Sequence, residues 1–225
     1  MSITIAIDGP SGAGKSTIAK EVAQRLGFTY VDTGAIYRAI GLYVFRRGID
    51  PSDEASILPL LPQIQIKITQ EQDGQHIFLG DEDVSAEIRR HEMSHYASAV
   101  SAIAKVREFL LDTQRRLAAD HNCIMDGRDI GTVVLPDADL KIFLTADPKD
   151  RAARRQIQLS EKGIEMPYEQ VLKDLIERDQ RDSTREAAPL RQAPGAILLD
   201  TTGNTKAQSV NLVEKLIREK LADVL

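Results

Sequence analysis

Residues 9–16 read Gly-Pro-Ser-Gly-Ala-Gly-Lys-Ser and fit the pattern G-x-x-x-x-G-K-[ST]. They stand between an apolar run, Ile3 to Ile7, and a stretch in which Ile18, Val22 and Leu26 recur at helical spacing. Strand, glycine loop, helix is the order that most narrows what this chain can become. Glycines let successive backbone N–H groups turn inward around a phosphate, and a helix starting near Lys15 adds its positive end. On this reading Gly9, Pro10, Ser11, Gly12, Ala13 and Gly14 form the cradle. Lys15 is placed to reach the β- and γ-phosphates of a nucleotide, Ser16 to sit on Mg²⁺, and Thr17 to reach the α-phosphate. Gly27 is expected to end the helix.

Four further apolar runs, Phe28 to Val31, Cys123 to Met125, Leu140 to Thr145 and Ile197 to Leu199, alternate with helical patterns. The expectation is an α/β fold, a P-loop core of about five parallel strands flanked by helices. One stretch departs from it. Ile64, Ile66 and Ile68 alternate with polar residues, Asp73-Gly74 marks a turn, and His76 to Leu79 reads as a return strand. Parallel crossovers need no hairpin, so residues 63–90 are expected to be a small antiparallel insertion within a single domain spanning 1–225.

A nucleotide loop alone does not distinguish a switch from a motor or a kinase. The acceptor side decides, and it is rich in arginine. Asp32-Thr33-Gly34-Ala35-Ile36-Tyr37-Arg38 follows the second strand and Asp126-Gly127-Arg128-Asp129 the third, both at the carboxyl ends where parallel sheets bind ligands. Arg151, Arg154 and Arg155 share one helical face, as do Arg178, Asp182 and Arg185. Charged helix faces are commonly only solvated, but several such sets beside one phosphate loop suit two phosphorylated reactants. Bulk properties agree. The net charge of -5 offers no global field for nucleic acid, and no apolar run approaches the ~18 residues of a membrane span. The lone cysteine, Cys123, allows no internal disulfide and reads as a core residue, and Met1-Ser2-Ile3 does not open a signal peptide. A cytoplasmic chain acting as a monomer is expected.

The blocks IDGPSGAGKST, DTGAIYR, GRDIGTVV, PDADLKIFLTA and ERDQRDSTR, in this order, resemble those of the bacterial cytidylate kinases. The likeness runs over nearly the whole chain. Ile36 stands where methionine is frequent, Asp126 where glutamate is common and Leu135 where phenylalanine is usual. The resemblance implies transfer of the γ-phosphate of ATP, with Mg²⁺, to CMP or dCMP. It implies that Lys15, Ser16 and Thr17 serve ATP and the metal, and that Arg38, Arg128 and Arg178 hold the acceptor monophosphate. Ser98, Arg107 and Asp129 resemble the cytosine readers; Asp182 and Arg185 match positions around the acceptor sugar and phosphate. Arg151, Arg154 and Arg155 match a mobile lid, here residues 151–167, over the donor. Residues 33–105, the insertion included, become the acceptor-binding region, with Thr33 and Tyr37 as further candidates. Tyr37 could pack or touch the acceptor, and Asp129 could instead cap the turn near Gly131.

Three rivals are weighed. His91-Glu92-Met93-Ser94-His95 matches H-E-x-x-H, but a catalytic zinc needs a third ligand, and the downstream positions of the longer motif are Ser98 and Ser101. A guanine-reading N-K-x-D motif is absent, against a switch. The nearest competitor is another small-molecule kinase on the same core, acting on a different monophosphate.

Overall fold

The computed structural model describes residues 2–71, 74–119, 121–161 and 163–223. The chain opens with β1 (Thr4–Asp8), α1 (Lys15–Leu26), β2 (Thr29–Asp32) and α2 (Thr33–Phe45). Ile5, Ala6 and Ile7 of β1 are fully enclosed, as a strand covered on both faces requires. At Gly9 the chain turns so close to its neighbour that a Cβ would lie 1.9 Å from the Leu144 carbonyl oxygen. Only glycine fits there. Helix α1 buries Ile18, Ala19, Val22 and Ala23 and ends at Gly27, whose φ of 68° is left-handed. The Phe28 N–H then closes on the Ala23 carbonyl at 2.8 Å.

A short helix α3 (Glu54–Ile57) leads into the insertion, β3 (Ile66–Glu71), β4 (Gly74–Leu79) and β5 (Glu82–Asp83). These form an antiparallel sheet in the order β3-β4-β5, with Ile68 facing Ile77. The hairpin matches expectation, but its third strand was not anticipated: two acidic residues, both exposed, carry no alternation to read. Ile64 precedes the strand, and Asp73 of the expected turn lies outside the described residues. Then come α4 (Met93–Val100), α5 (Ala104–Ala119), β6 (Cys123–Gly127), β7 (Leu140–Thr145), α6 (Pro148–Ser160), α7 (Tyr168–Thr184), β8 (Ile197–Asp200) and α8 (Lys206–Lys220). The main sheet has five strands, all parallel, in the order β2-β6-β1-β7-β8. Among the described residues no helix is long and apolar enough to cross a membrane.

The apolar interior is divided. One cluster joins α1 and α8 to the sheet, including Ile5, Val22, Ile142 and Val213. A second joins α2, α4, α5 and the insertion, including Ile40, Ile77, Met93 and Leu110. Helices α6 and α7 share a small one of their own, Ala152, Leu159, Val171 and Leu175.

Where β1 ends, Asp8 is buried and accepts hydrogen bonds from the N–H groups of Ile130 (2.8 Å) and Gly131 (2.7 Å). It thereby caps a single π-helical turn, Ile130–Val134, that follows β6. Asp129 does not cap this turn with its side chain, so the capping alternative raised for it falls to Asp8. Burial, against the pull of these two hydrogen bonds, raises the Asp8 pKa from 3.8 to about 6. Asp8→Ala should destabilise the protein by about 2 kcal/mol in urea unfolding, since two buried donors lose their acceptor while a costly buried carboxylate is removed. A folded-state pKa above the unfolded one means that stability from this group declines as pH rises from about 4 through about 6. The variant should lack that decline.

Candidate active site

The glycine loop is held from behind. Lys15 is buried, and its Nζ donates to the Pro10 carbonyl at 2.8 Å. Asp179 of α7 accepts from the Ser11 N–H (3.1 Å) and from Arg151 (2.5 Å), while Arg151 also donates to the Ser11 carbonyl (2.8 Å) and to Ala146 (2.9 Å). Arg151 is thus buried against the loop and does not line the cleft in front of it. Asp179 was not singled out from the sequence, although it stands one helical turn before Asp182 in the block ERDQRDSTR.

In front of the loop the Ser16 hydroxyl donates to Asp126 Oδ2 (2.8 Å), and the Tyr30 hydroxyl donates to Oδ1 of the same carboxylate (2.8 Å). Asp126 lies level with Asp32 on β2 and Ile7 on β1, at the carboxyl edge of the sheet. Burial first, then the neighbouring Asp32, raises its pKa to about 6. Ser16 and Asp126 are hard oxygen donors of the kind magnesium takes. Lys15 moves the other way: burial, then the Arg128 charge, lowers it from 10.5 to about 7.

Loop residues Ser11, Gly12 and Gly14 to Thr17 line a cleft of about 980 Å³ that guanidinium groups also line. Arg38, Arg128, Arg155 and Arg178 all line it. Asp182 is shared: Arg128 Nε donates to it at 2.9 Å, Arg185 stands at 3.9 Å and Arg178 Nε at 4.0 Å. Burial works against the charge on Asp182, yet Arg128 and Arg178 outweigh it and hold the carboxyl below its usual range. Arg178 gains less. Burial, then Arg128, lower its pKa to about 9, with Arg38 and Arg155 adding to the repulsion. Among the described residues its Nε is buried without a hydrogen-bond partner. A buried donor left open among like charges is a place for an anion.

Deeper on this side Asp129 pairs tightly with Arg107 and lies 3.9 Å from Arg185. Arg107 also donates to the Ser101 carbonyl (3.1 Å) and stands 5.3 Å from the centre of the Tyr37 ring. Tyr37 therefore does both things left open for it: it is buried in the core and it lines the cleft. Thr33 lines it too, its hydroxyl donating to the Asp126 carbonyl (2.8 Å).

The cytidylate kinase family model matches residues 5–219. The chain belongs to the cytidylate kinase family. A cytidylate kinase of Caldanaerobacter subterraneus subsp. tengcongensis is 50% identical over 219 residues, covering 97% of this chain and 96% of that protein. One of Streptococcus suis is 46% identical over 225 residues, 100% and 98% of the two chains. The crystal structure of an uncharacterized protein from Eubacterium ventriosum shares the fold, with a TM-score of 0.52 and 13% identity over 96% of this chain and 98% of that one.

Besides Arg151, two further site candidates of this cytidylate kinase family member sit away from the open cleft or are otherwise engaged. Ser98 is buried in α4 and does not line the cleft; its carbonyl accepts from the Ser101 hydroxyl (2.9 Å), and Ser94 and Ser101 on either side of it do line the cleft. Arg154 lines it but donates to the Thr201 carbonyl (2.7 Å), tying α6 to the loop before α8. The histidines of the H-E-x-x-H stretch line the same cleft, but α4 begins only at Met93, so His91 and His95 do not share a helical face. Among the described residues no group of three metal-ligating side chains could hold a metal ion.

Lys15 generates a pH prediction. A polyphosphate against its ammonium restores the pKa that burial and Arg128 lower, so the bound state holds more proton than the unbound one. Binding of ADP at pH 8 should take up protons, and affinity should weaken as pH rises above about 7. Calorimetry in buffers of differing ionisation enthalpy checks this; proton release at pH 8 would contradict it.

Proposed function

We propose that this kinase transfers the γ-phosphate of ATP to CMP or dCMP, giving ADP and CDP or dCDP. The observation that carries the reading is the open, buried Arg178 Nε amid Arg38, Arg128 and Arg155, in the cleft that the phosphate loop also lines. One polyanion beside Lys15 would leave those guanidiniums uncompensated. A second phosphorylated reactant answers them.

In this reading the loop amides from Gly12 to Thr17 and the Lys15 ammonium hold the donor phosphates, and Ser16 would ligate Mg²⁺ with its hydroxyl oriented by Asp126. A magnesium ion held there with the nucleotide would supply neutralisation of the donor phosphate charge. Arg38, Arg128 and Arg178 grip the acceptor phosphate and point one of its oxygens at the γ-phosphorus. A new P–O bond forms there as the bond to the β,γ-bridging oxygen breaks, and ADP leaves with that oxygen. No general base is needed because the attacking oxygen is already anionic near pH 7. Positioning and charge neutralisation supply the rate.

The same reading gives residues 33–105 to acceptor binding, with the insertion over about 63–90, and the lid to 151–167, Lys162 lying outside the described residues. The separate apolar clusters support it, since regions with cores of their own can move as units. The first turn of α6 is anchored by Arg151, so the moving part begins beyond it, toward Gly163, whose φ is 73°. Arg155, half-buried beside Arg38, is the arginine of the lid best placed to meet the transferring group. The protein acts as a monomer in the cytoplasm.

Cytosine offers an amino donor beside ring acceptors, whereas uracil reverses the first two groups. Asp129 accepts and Arg107 donates, complementary to cytosine. Arg107 and Asp129 pair with each other, and a cytosine between them would exchange that pairing for its own amino donor and ring acceptors. Acceptor screening with ATP should show CMP and dCMP far ahead of UMP; activity confined to another acceptor would overturn the assignment. Asp129→Asn, which keeps the volume and can present either a carbonyl or an amide, should lower the CMP:UMP ratio of kcat/KM by about tenfold or more. An unchanged ratio removes Asp129 from base reading. Hydrogen exchange over 155–167 should slow when ATP and CMP analogues bind together, and unchanged exchange would place the lid elsewhere.

A further inference from the structure

Asp32 is both the last residue of β2 and the cap of α2, its carboxylate accepting from the Ala35 N–H at 3.0 Å. On one side β2 pairs with β6; on the other it is the edge of the main sheet. The outward backbone groups of Asp32 nevertheless have partners, both from one side chain. Its N–H donates to Gln75 Oε1 (2.9 Å), and Gln75 Nε2 donates to its carbonyl (3.1 Å). A neighbouring strand would make the same pair of hydrogen bonds. Gln75 belongs to β4 of the insertion, two residues from Ile77, which is locked into the acceptor-side core. Its cross-strand neighbour Gln70 donates to the Tyr30 carbonyl (3.0 Å), so two glutamine amides cover the edge of β2.

The consequence lies one turn further along the chain. Helix α2 leaves directly from Asp32 and carries Thr33, Tyr37 and Arg38 into the cleft. The direction in which it leaves follows from the Asp32 peptide groups and the cap that the same residue supplies. Gln75 itself does not line the cleft.

We propose that Gln75 is a positioning residue for the acceptor. Its amide stands in for an edge strand at Asp32, sets the start of α2, and so places Arg38 against the acceptor phosphate. This rests on the kinase reading above, in which Arg38 holds that phosphate. It also assigns the insertion a task at the main sheet. Few side chains could perform it: the group must donate and accept at once, which excludes glutamate, and must reach from β4, which excludes the shorter asparagine.

The test compares the parent with Gln75→Ala, Gln75→Glu and a control, Gln70→Ala, which removes an amide from the same hairpin but leaves Asp32 paired. Two hydrogen bonds are lost in Gln75→Ala, so the KM for CMP should rise about tenfold, with kcat and the KM for ATP each within about twofold of the parent. Gln75→Glu should raise it at least as far. Independently of any substrate, the Asp32 amide should exchange with solvent about tenfold faster in both Gln75 variants and not in Gln70→Ala. An unchanged KM for CMP, unchanged exchange at Asp32, or an equal rise in Gln70→Ala would each overturn the proposal. A parent inactive with CMP would overturn the cytidylate reading alone; the comparison is then made with the monophosphate that the parent does accept.

Discussion

Mutual repulsion among cations is the constraint on which this structure turns. Arg178 feels Arg128, Arg38 and Arg155, Arg155 feels Arg38, and Lys15 feels Arg128, all around one cleft. Left to themselves such side chains would swing out to water, where their charges are screened. They stay because buried carboxylates tether some of them, Asp182 holding Arg128 and Asp129 holding Arg107, while packing confines the rest. The tethers fall short of full compensation, and among the described residues Arg178 keeps a buried Nε without a hydrogen-bond partner amid like charges.

The acids of the site are accordingly scaffolding more than reagents. Asp8 holds the turn after β6, Asp32 starts α2, Asp126 orients Ser16, and Asp179 joins the glycine loop to α6 and α7. Asp8 and Asp32 end β1 and β2, and Asp126 is the penultimate residue of β6 between them, so the three lie at the same edge of the sheet. Each keeps a backbone group or a cation in place, so the frame around the cleft is built by pairings within the fold, while α6–α7 and the α2–α4–α5 side keep apolar clusters of their own.

Several features were legible because local chemistry dictates them. The glycine loop could be read from the spacing of Gly9, Gly14, Lys15 and Ser16, and the end of α1 from Gly27, which takes a left-handed φ. The five parallel strands could be read from short apolar runs, which are covered on both faces in β1 and β6, and the hairpin from the alternation of Ile66 and Ile68. The cleft arginines announced themselves by clustering at strand ends and on helix faces. What depends on local sequence and nearest neighbours along the chain was available from the beginning.

Partners distant in sequence were another matter. Nothing in the string joins Asp8 to Gly131, Arg151 to Ser11, or Gln75 to Asp32, because a lone polar residue looks the same whether it faces water or a buried amide. Nor could the string say that Ser101 rather than Ser98 reaches the cleft, since a helical turn of difference is settled by how α4 packs on α2. The sequence by itself determined the phosphate loop, the parallel sheet and which residue types gather at its edge, for these follow from backbone sterics and hydrophobic periodicity. Tertiary structure alone decided which carboxylate neutralises which arginine and which donor stays open, because hydrogen bonds and buried charges take their value from the groups that folding brings within about 3 Å of them.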